Sequence, residues 1–304
     1  EFESVRLGHS YTRNCTNNDI RRELALIRRS EQFQQKRIAS LKPMDENILE
    51  HTIGYEQLAV DLTAELARKE KDCYVKKTLD FALLEDFDHL YRYADLLQGE
   101  QGVYAEKLVG RYTEIMPGRP TISHHRYPID NVRRIVSYKT ADVRTVLATM
   151  TITAAEQQTM NYYLNIANLY DTELGRKLYA EIAMIEEQHV TGYGSLMDPT
   201  VTMYECMVMH EYTECYLYWS CYNDETDARI KDIWLMHYEE ELSHLHYAVE
   251  LLAKYGGKVW QQLFPEGGDF PEPILFKPQK EYVRKVLKSV RLTGRMEDWE
   301  EVDK

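Results

Sequence analysis

The stretch AEIAMIEEQHVTGY, residues 180–193, places Glu186 three residues before His189 inside an apolar helical pattern. Residues three apart lie on one face of a helix, so this carboxylate and this imidazole can reach the same point. The same pairing of an acid with a histidine recurs in LLEDFDHLYRYA (83–94) and in YEEELSHLHYA (238–248).

Each of these three histidines has a glutamate 33 residues before it, and the acid of each pair lies 30 residues after that glutamate. Coincidence of both spacings in three places indicates an internal structural repeat. The motif is Glu-x29-[Asp/Glu]-x2-His. Its members are the nine candidate metal ligands Glu56, Asp86 and His89; Glu156, Glu186 and His189; and Glu211, Glu241 and His244.

Apolar residues at three- and four-residue spacing, with few glycines and prolines, predict an all-α fold. We predict helices at 19–41, 45–69, 72–98, 141–169, 173–197, 200–222, 226–255 and 279–291. Capping residues mark the starts near 45, 141 and 199, while Gly99 and the YGGK at 255–258 mark ends.

The predicted helices suggest three regions of the chain. Residues 1–44 form an N-terminal helical segment, 45–256 form a metal-binding helical bundle, and 257–304 form an extended arm with a short helix. The bundle contains three helical hairpins, at 45–98, 141–197 and 200–255, and a crossover at 99–140 that carries MPGRPTISHHRYP. A separation of 30 residues fits a hairpin whose two helices bring the lone glutamate level with the acid and histidine pair.

The predicted ligands have apolar neighbours on their own helical faces, as with Leu49, Ile53 and Val60 around Glu56. Such stripes normally face a core. Burying an unpaired carboxylate costs several kcal/mol, so acids on a core face imply a cation or a dense hydrogen-bond network. An exposed intrahelical pair, or a buried histidine bonded to a carboxylate, is the alternative interpretation for any single copy.

The motif resembles the ligand pattern of the ferritin-like di-iron carboxylate superfamily, which includes ferritins, rubrerythrins and manganese catalases. The resemblance covers 45–98 and 141–255. It implies a ferritin-like antiparallel helical bundle that holds two iron ions, with manganese as the alternative. In the resemblance, Glu56, Glu156 and Glu211 match the family's lone carboxylate, and the acids of the pairs match a carboxylate that is commonly a bridging ligand.

The family uses two hairpins, whereas this chain has three. The long crossover lets hairpin one run opposite to hairpins two and three, so chain direction favours hairpin one pairing with either of them. The shorter side chain of Asp86, and the similarity of the second and third copies, argue the other way. Pairing across a dimer interface is a further alternative.

Several residues one turn from the motif are candidates for supporting roles. Tyr93 and Tyr193 each follow a motif histidine by four residues and either bond a ligand or serve as core aromatics. Glu214 and His237 are either extra ligands or ordinary polar neighbours. Glu85 is an alternative to Asp86 but breaks the spacing of 30 residues.

Composition limits the classes of partner. A net charge of −13 argues against nucleic acid and anionic membrane surfaces, which need clustered Lys and Arg. No apolar stretch is long enough to span a membrane, and the N-terminus has no secretory signal pattern. The five cysteines form no C-x-x-C pair, which suits reduced thiols and a cytoplasmic location and excludes a rubredoxin-type iron centre.

The resemblance implies a di-metal oxidoreductase acting on dioxygen or hydrogen peroxide, as a ferroxidase or a peroxidase-like enzyme. Since no flavin or dinucleotide fingerprint is present, its electrons come from a separate donor protein or from ferrous ions. A homo-oligomer, specifically a dimer, is expected. The alternatives are a non-catalytic metal-binding or structural bundle, and an oxygenase for an organic substrate.

Overall fold

A computed structural model describes residues 1–117 and 128–289 of the chain. Within these residues the regular structure is helical and no β-strand forms, which confirms the all-α class. The α-helices are α1 (Phe2–Asn14), α2 (Asn18–Ala39), α3 (Ile48–Lys69), α4 (Cys73–Gln101), α5 (Glu106–Val109), α6 (Pro128–Asn131), α7 (Val143–Leu169), α8 (Glu173–Gly194), α9 (Met203–Asp224), α10 (Ala228–Leu251) and α11 (Lys280–Ser289). A π-helical turn, Leu252–Gly256, follows α10, and a 3-10 turn covers Trp260–Gln262.

The chain folds into two compact units and alternates between them. Unit 1 comprises Glu1–Met44, Arg134–Ala154 and Leu196–Leu275; unit 2 comprises Asp45–Arg133, Ala155–Ser195 and Phe276–Lys304. This grouping differs from the sequence-based division, which places 45–256 in one bundle. The reason is that the N-terminal segment belongs with the third hairpin, so residues far apart in sequence share a unit.

Unit 2 is organised around α3 and α4, which pack along each other, with α8 against α4. Its core contains Leu49, Leu83, Leu90 and Leu97, all at most 1% exposed. Burial of each such leucine stabilises the fold by roughly 1.5–3 kcal/mol. The core extends to Val283, Val286 and Leu287, the buried face of α11, so the predicted short helix near the C-terminus packs into this unit.

Unit 1 contains the helix pairs α1 with α2 and α9 with α10. Sequence periodicity predicted α2 but missed α1. The extended arm contacts α9. The Tyr212 and Tyr216 hydroxyls donate to the backbone carbonyls of Asp269 and Glu272, at 3.1 and 2.8 Å. The part of the arm that lies in unit 1 therefore packs along a bundle helix.

Local capping interactions mark the starts of α3 and α9 and the end of α4. Asn47 with Glu50, and Thr202 with Glu205, form reciprocal capping boxes at the starts of α3 and α9. The predicted end at Gly99 is wrong, because α4 continues to Gln101 and ends at Gly102, which adopts a left-handed φ of 68°. A glycine at this position avoids the Cβ clash of that conformation.

The predicted crossover contains α5 and α6, and residues 118–127 of it lie outside the described residues, as do 290–304. The adjacent histidines of the SHHRYP segment are therefore not described. The five cysteines are free thiols. Across the described ranges, no helix combines the length and the apolar character needed to cross a membrane.

Candidate metal centres

The predicted ligands of hairpins one and two meet inside unit 2. Glu56 comes from α3, whereas α4 and α8 each supply an acid with its histidine and α7 supplies one glutamate. We call these six residues, none more than 4% exposed, the unit 2 cluster: Glu56, Asp86, His89, Glu156, Glu186 and His189. Of the two pairings that chain direction allowed, the structure forms hairpin one with hairpin two.

The donor atoms of the unit 2 cluster divide into two groups, within each of which all atoms lie at most 4.8 Å apart. One group is Asp86, Glu156, Glu186 and His189, and the other is Glu56, His89 and Glu186. Glu186 belongs to both groups. One carboxylate therefore serves two adjacent sets of donors, each of which could hold a cation.

The two oxygens of Glu186 face different imidazoles. Its Oε1 lies 3.1 Å from His89 Nδ1, and its Oε2 lies 3.0 Å from His189 Nδ1. The same His189 nitrogen is 3.4 Å from Asp86 Oδ1 and 3.6 Å from Glu156 Oε2. Each histidine thus presents its Nδ1 to the carboxylates, and the ring centroids are 6.0 Å apart.

Crowding and burial perturb the titration of the unit 2 cluster. Burial, together with the neighbouring carboxylates, raises the pKa of Glu56 and Glu156 well above the usual range and that of Asp86 to about 7. Burial also raises the pKa of Glu186, but the two histidines lower it by more, so it stands well below its usual value. Glu56 and Glu156 therefore favour the protonated form, whereas Glu186 is ionised, and a bound cation would displace the protons of the first two.

Several buried oxygens of this cluster have no hydrogen-bond partner: Glu56 Oε2, Asp86 Oδ1 and Glu156 Oε1. Leaving a buried acceptor unsatisfied costs about 1–3 kcal/mol. Within the described chain, no Lys or Arg lies at ion-pair distance from the cluster. Four carboxylates, two imidazoles and unpaired inward oxygens fit a pair of divalent cations.

Three residues outside the motif support these ligands. Glu85 Oε2 lies 2.8 Å from His189 Nε2. Glu85, the sequence-based alternative to Asp86, therefore contacts the imidazole nitrogen that points away from the motif carboxylates. The Tyr163 hydroxyl donates to Glu56 Oε1 at 2.5 Å, and the Thr63 hydroxyl donates to Asp86 Oδ2 at 3.2 Å. Sequence analysis missed Tyr163 and Thr63. Their signal is position, since each lies seven residues, or two turns, after a lone motif glutamate.

The two tyrosines proposed from sequence as ligand partners do not make such bonds. Both Tyr93 and Tyr193 are buried, and neither hydroxyl has a hydrogen-bond partner. The Tyr93 ring lies 5.3 Å from that of Tyr163 and 4.8 Å from that of Tyr179. The Tyr193 ring lies 6.3 Å from that of His189. Of the two alternatives, their contacts are those of core aromatics.

The ligands of the third hairpin lie in unit 1 and meet a residue that sequence analysis missed. Glu211 on α9, with Glu241 and His244 on α10, surrounds Glu31 of α2, and the donor atoms lie within 4.8 Å of one another. We call these four residues the unit 1 cluster. Its histidine is intermediate in exposure and its three glutamates are buried.

The partner of the third hairpin carries a fourth, altered copy of the motif. Glu31 lies 30 residues after Glu1 and three before Gln34, so the copy reads Glu-x29-Glu-x2-Gln. A search that required histidine could not find it, whereas a search on the two carboxylate positions would have. A second group of close donors joins Glu1, Glu31, Glu214 and Glu241.

A hydrogen bond repeated in both units supports this equivalence. Tyr218 lies seven residues after Glu211, as Tyr163 lies seven after Glu156. The Tyr218 hydroxyl donates to Glu1, the lone glutamate of the opposite hairpin, as Tyr163 donates to Glu56. Both units therefore place a phenol on the same carboxylate of the repeat.

The two extra candidates of the third hairpin differ in outcome. Glu214 joins the second donor group and lies 3.0 Å from His210 Nε2 and 2.8 Å from the α-amino group of Glu1. His237 joins neither group, and its ring packs against Tyr218 and Trp234, with centroids 5.0 and 6.2 Å away. Burial lowers the pKa of His237 to about 4, which suits a neutral aromatic neighbour.

No protein-family model matches this chain, and no curated protein or solved structure shows detectable similarity to it.

Proposed function

We propose that the unit 2 cluster binds a pair of iron ions in a ferritin-like helical bundle and acts as an oxidoreductase on dioxygen or hydrogen peroxide. The observation that carries this proposal is Glu186, whose two oxygens face two imidazoles and which belongs to both donor groups. The fully buried, hydrogen-bond-deficient oxygens of Glu56, Asp86 and Glu156 support it.

The donor set favours iron, with manganese as the alternative. Carboxylates suit hard cations, and imidazole suits iron, so a mixture of four carboxylates and two imidazoles fits either Fe²⁺ or Mn²⁺. With both ions divalent, four carboxylates also balance the charge. A pair of such ions, when bound, would supply Lewis acidity and redox chemistry towards a small oxygen species.

The surrounding residues hold the ligands and their protons in place. Glu85 bonds His189 Nε2 and thereby leaves Nδ1 to face the carboxylates, a carboxylate–histidine support typical of metal sites. Burial and the negative charge of Glu56 raise the pKa of Tyr163 well above its usual value. Its hydroxyl therefore stays protonated and donates to Glu56 beside the proposed reaction site.

Burial favours a small oxidant over a large organic substrate. None of the cluster residues is more than 4% exposed. Dioxygen and hydrogen peroxide can reach such a site through small fluctuations of the packing, whereas a larger substrate needs the helices to separate. The electrons come from ferrous ions or from a separate donor protein, because the sequence has no C-x-x-C pair.

The test combines metal content with turnover. Protein purified without tags or chelators, or loaded anaerobically with Fe²⁺, should hold about two ions in unit 2 and should consume dioxygen or peroxide. The double variant His89→Gln/His189→Gln should lose those ions and the turnover. His9→Gln is a matched control, since His9 is exposed on α1.

Full metal content in the double variant would sink the assignment of these ligands. Bound metal without oxidant consumption would reduce the protein to a metal-binding bundle. Absence of metal after reconstitution would leave a structural helical protein whose buried acids are neutralised by protons.

A further inference from the structure

We infer that unit 1 contains a second cation site, which binds one divalent cation between Glu31, Glu211, Glu241 and His244. This site is separate from the proposed centre of unit 2, and the inference does not depend on the oxidoreductase activity. The ligand class is a hard divalent transition-metal ion, and Mn²⁺ serves as the probe. Three independent features of the unit 1 cluster carry the inference.

The first feature is geometry. His244 Nδ1 lies 2.9 Å from Glu31 Oε1, 3.1 Å from Glu241 Oε2 and 3.9 Å from Glu211 Oε2. These atoms come from three different helices, so their convergence is produced by tertiary packing and not by an intrahelical pair alone.

The second feature is unpaired buried acceptors. Glu31 and Glu241 are 0% exposed and Glu211 is 3% exposed. The buried oxygens Glu31 Oε2, Glu211 Oε2 and Glu241 Oε1 have no hydrogen-bond partner. Among the described residues, no Lys or Arg lies at ion-pair distance from these three carboxylates. A cation would satisfy oxygens that the protein itself leaves unpaired.

The third feature is the shared ligand plan. The unit 1 cluster occupies the positions of the same repeat that builds the unit 2 cluster, and both units place a tyrosine hydroxyl on the equivalent lone glutamate. Gln34 stands where the repeat elsewhere has histidine, and its side-chain nitrogen instead donates to Glu240 at 3.0 Å.

The altered donor set predicts an altered metal preference. Three carboxylates and one imidazole make this site richer in oxygen than the unit 2 cluster, which has two imidazoles among six donors. Oxygen-rich sites favour hard ions such as Mn²⁺ over ions that prefer nitrogen. The second donor group, with Glu1 and Glu214, is not included, because the α-amino group of Glu1 already lies 2.8 Å from Glu214.

The binding test removes the unit 2 centre first. Metal-free Glu186→Gln/His189→Gln protein is incubated with Mn²⁺, freed of excess ion by gel filtration and assayed by elemental analysis. We expect about one Mn²⁺ per chain, and a fall of at least about tenfold when Glu241→Gln is added. Glu239→Gln is the matched control, since Glu239 is exposed on the same helix. Retention of Mn²⁺ after Glu241→Gln, with or without loss in the control, would overturn the inference.

A measurement on the unmodified protein guards against variants that fail to fold. Anomalous diffraction at the manganese edge, from crystals grown with Mn²⁺, should give a peak enclosed by Glu31, Glu211, Glu241 and His244. Absence of a peak at that position would overturn the inference, whatever the state of unit 2. A unit 1 peak without oxidant turnover would uphold the inference while the proposed function failed.

Discussion

Unit 1 and unit 2 are built on the same repeat but carry different donors. The unit 2 cluster has two imidazoles, and Glu186 lies between them. The unit 1 cluster has one, because Gln34 replaces the second, and Glu214 adds a carboxylate nearby. The comparison teaches that the repeat spacing sets the level at which each hairpin presents its carboxylates, whereas the residue three positions after each paired acid decides how many nitrogen donors the site has.

The largest expected difference in metal content between the two units comes from Glu186→Gln. Glu186 belongs to both donor groups of unit 2, so its loss should remove the proposed pair of ions and leave the proposed unit 1 ion in place. Elemental analysis after metal loading gives the count.

Glu181→Gln is the control for that variant, because Glu181 is on the exposed face of the same helix, where it pairs with Arg92 at 3.0 Å. Loss of the unit 1 ion together with those of unit 2 would mean that the two clusters do not bind independently.

A smaller effect is expected from Glu85→Gln, which alters a support that unit 1 lacks at the equivalent position, Ser30. Removing the carboxylate partner of His189 Nε2 should weaken metal binding in unit 2 by about 10- to 100-fold. Competition with a chelator of known affinity measures the change. An unchanged affinity would show that His189 needs no carboxylate to hold its orientation.

The hydrogen bonds shared by the two units provide the third comparison. Tyr163→Phe and Tyr218→Phe each remove a donor from a buried lone glutamate, and each should lower the free energy of unfolding of metal-free protein by about 1–2 kcal/mol. Urea denaturation measures both variants. Tyr112→Phe should have no effect, because Tyr112 is 50% exposed. A loss in only one variant would contradict the structural equivalence of the two units.

The smallest effect distinguishes the two capping boxes. Glu205 accepts from the Thr202 amide, from Tyr138 at 2.9 Å and from Lys258 at 2.6 Å, whereas among the described residues the Glu50 side chain accepts only from the Asn47 amide. Glu205→Gln should therefore destabilise by about 1 kcal/mol, and Glu50→Gln by less. Thermal denaturation of the two variants provides the comparison.

The Glu205 contribution should also depend on pH. Burial raises the pKa of Glu205, but the hydrogen bonds from Lys258 and Thr202 lower it by more, so the pKa falls to about 2. Because the pKa in the folded protein lies below the ordinary glutamate value of 4.5, the stabilisation is present above pH 4.5 and is lost as the pH falls towards about 2. Equal acid sensitivity of wild type and Glu205→Gln would contradict this.

Sequence periodicity predicted most of the helices to within a few residues, because amphipathic spacing and caps are local properties. It missed α1, and it ended α4 at Gly99 although a glycine inside a helix is tolerated when the left-handed residue comes later, at Gly102. The nine motif residues were found from spacing alone. Tyr163 and Glu31 were not, because a tyrosine among 23 and a glutamate without its histidine carry no distinctive signal by themselves.

The sequence by itself determined the helical class and the repeat. A separation of 30 residues corresponds to one helical hairpin, so the two acids of each copy lie at the same height on adjacent helices. Tertiary structure decided which hairpins share a core. Hairpin one joined hairpin two, and the N-terminal helices joined hairpin three, so one predicted bundle became two units. That choice depends on the packing of apolar faces that are far apart along the chain. Local periodicity identifies each apolar face but does not identify the helix that packs against it.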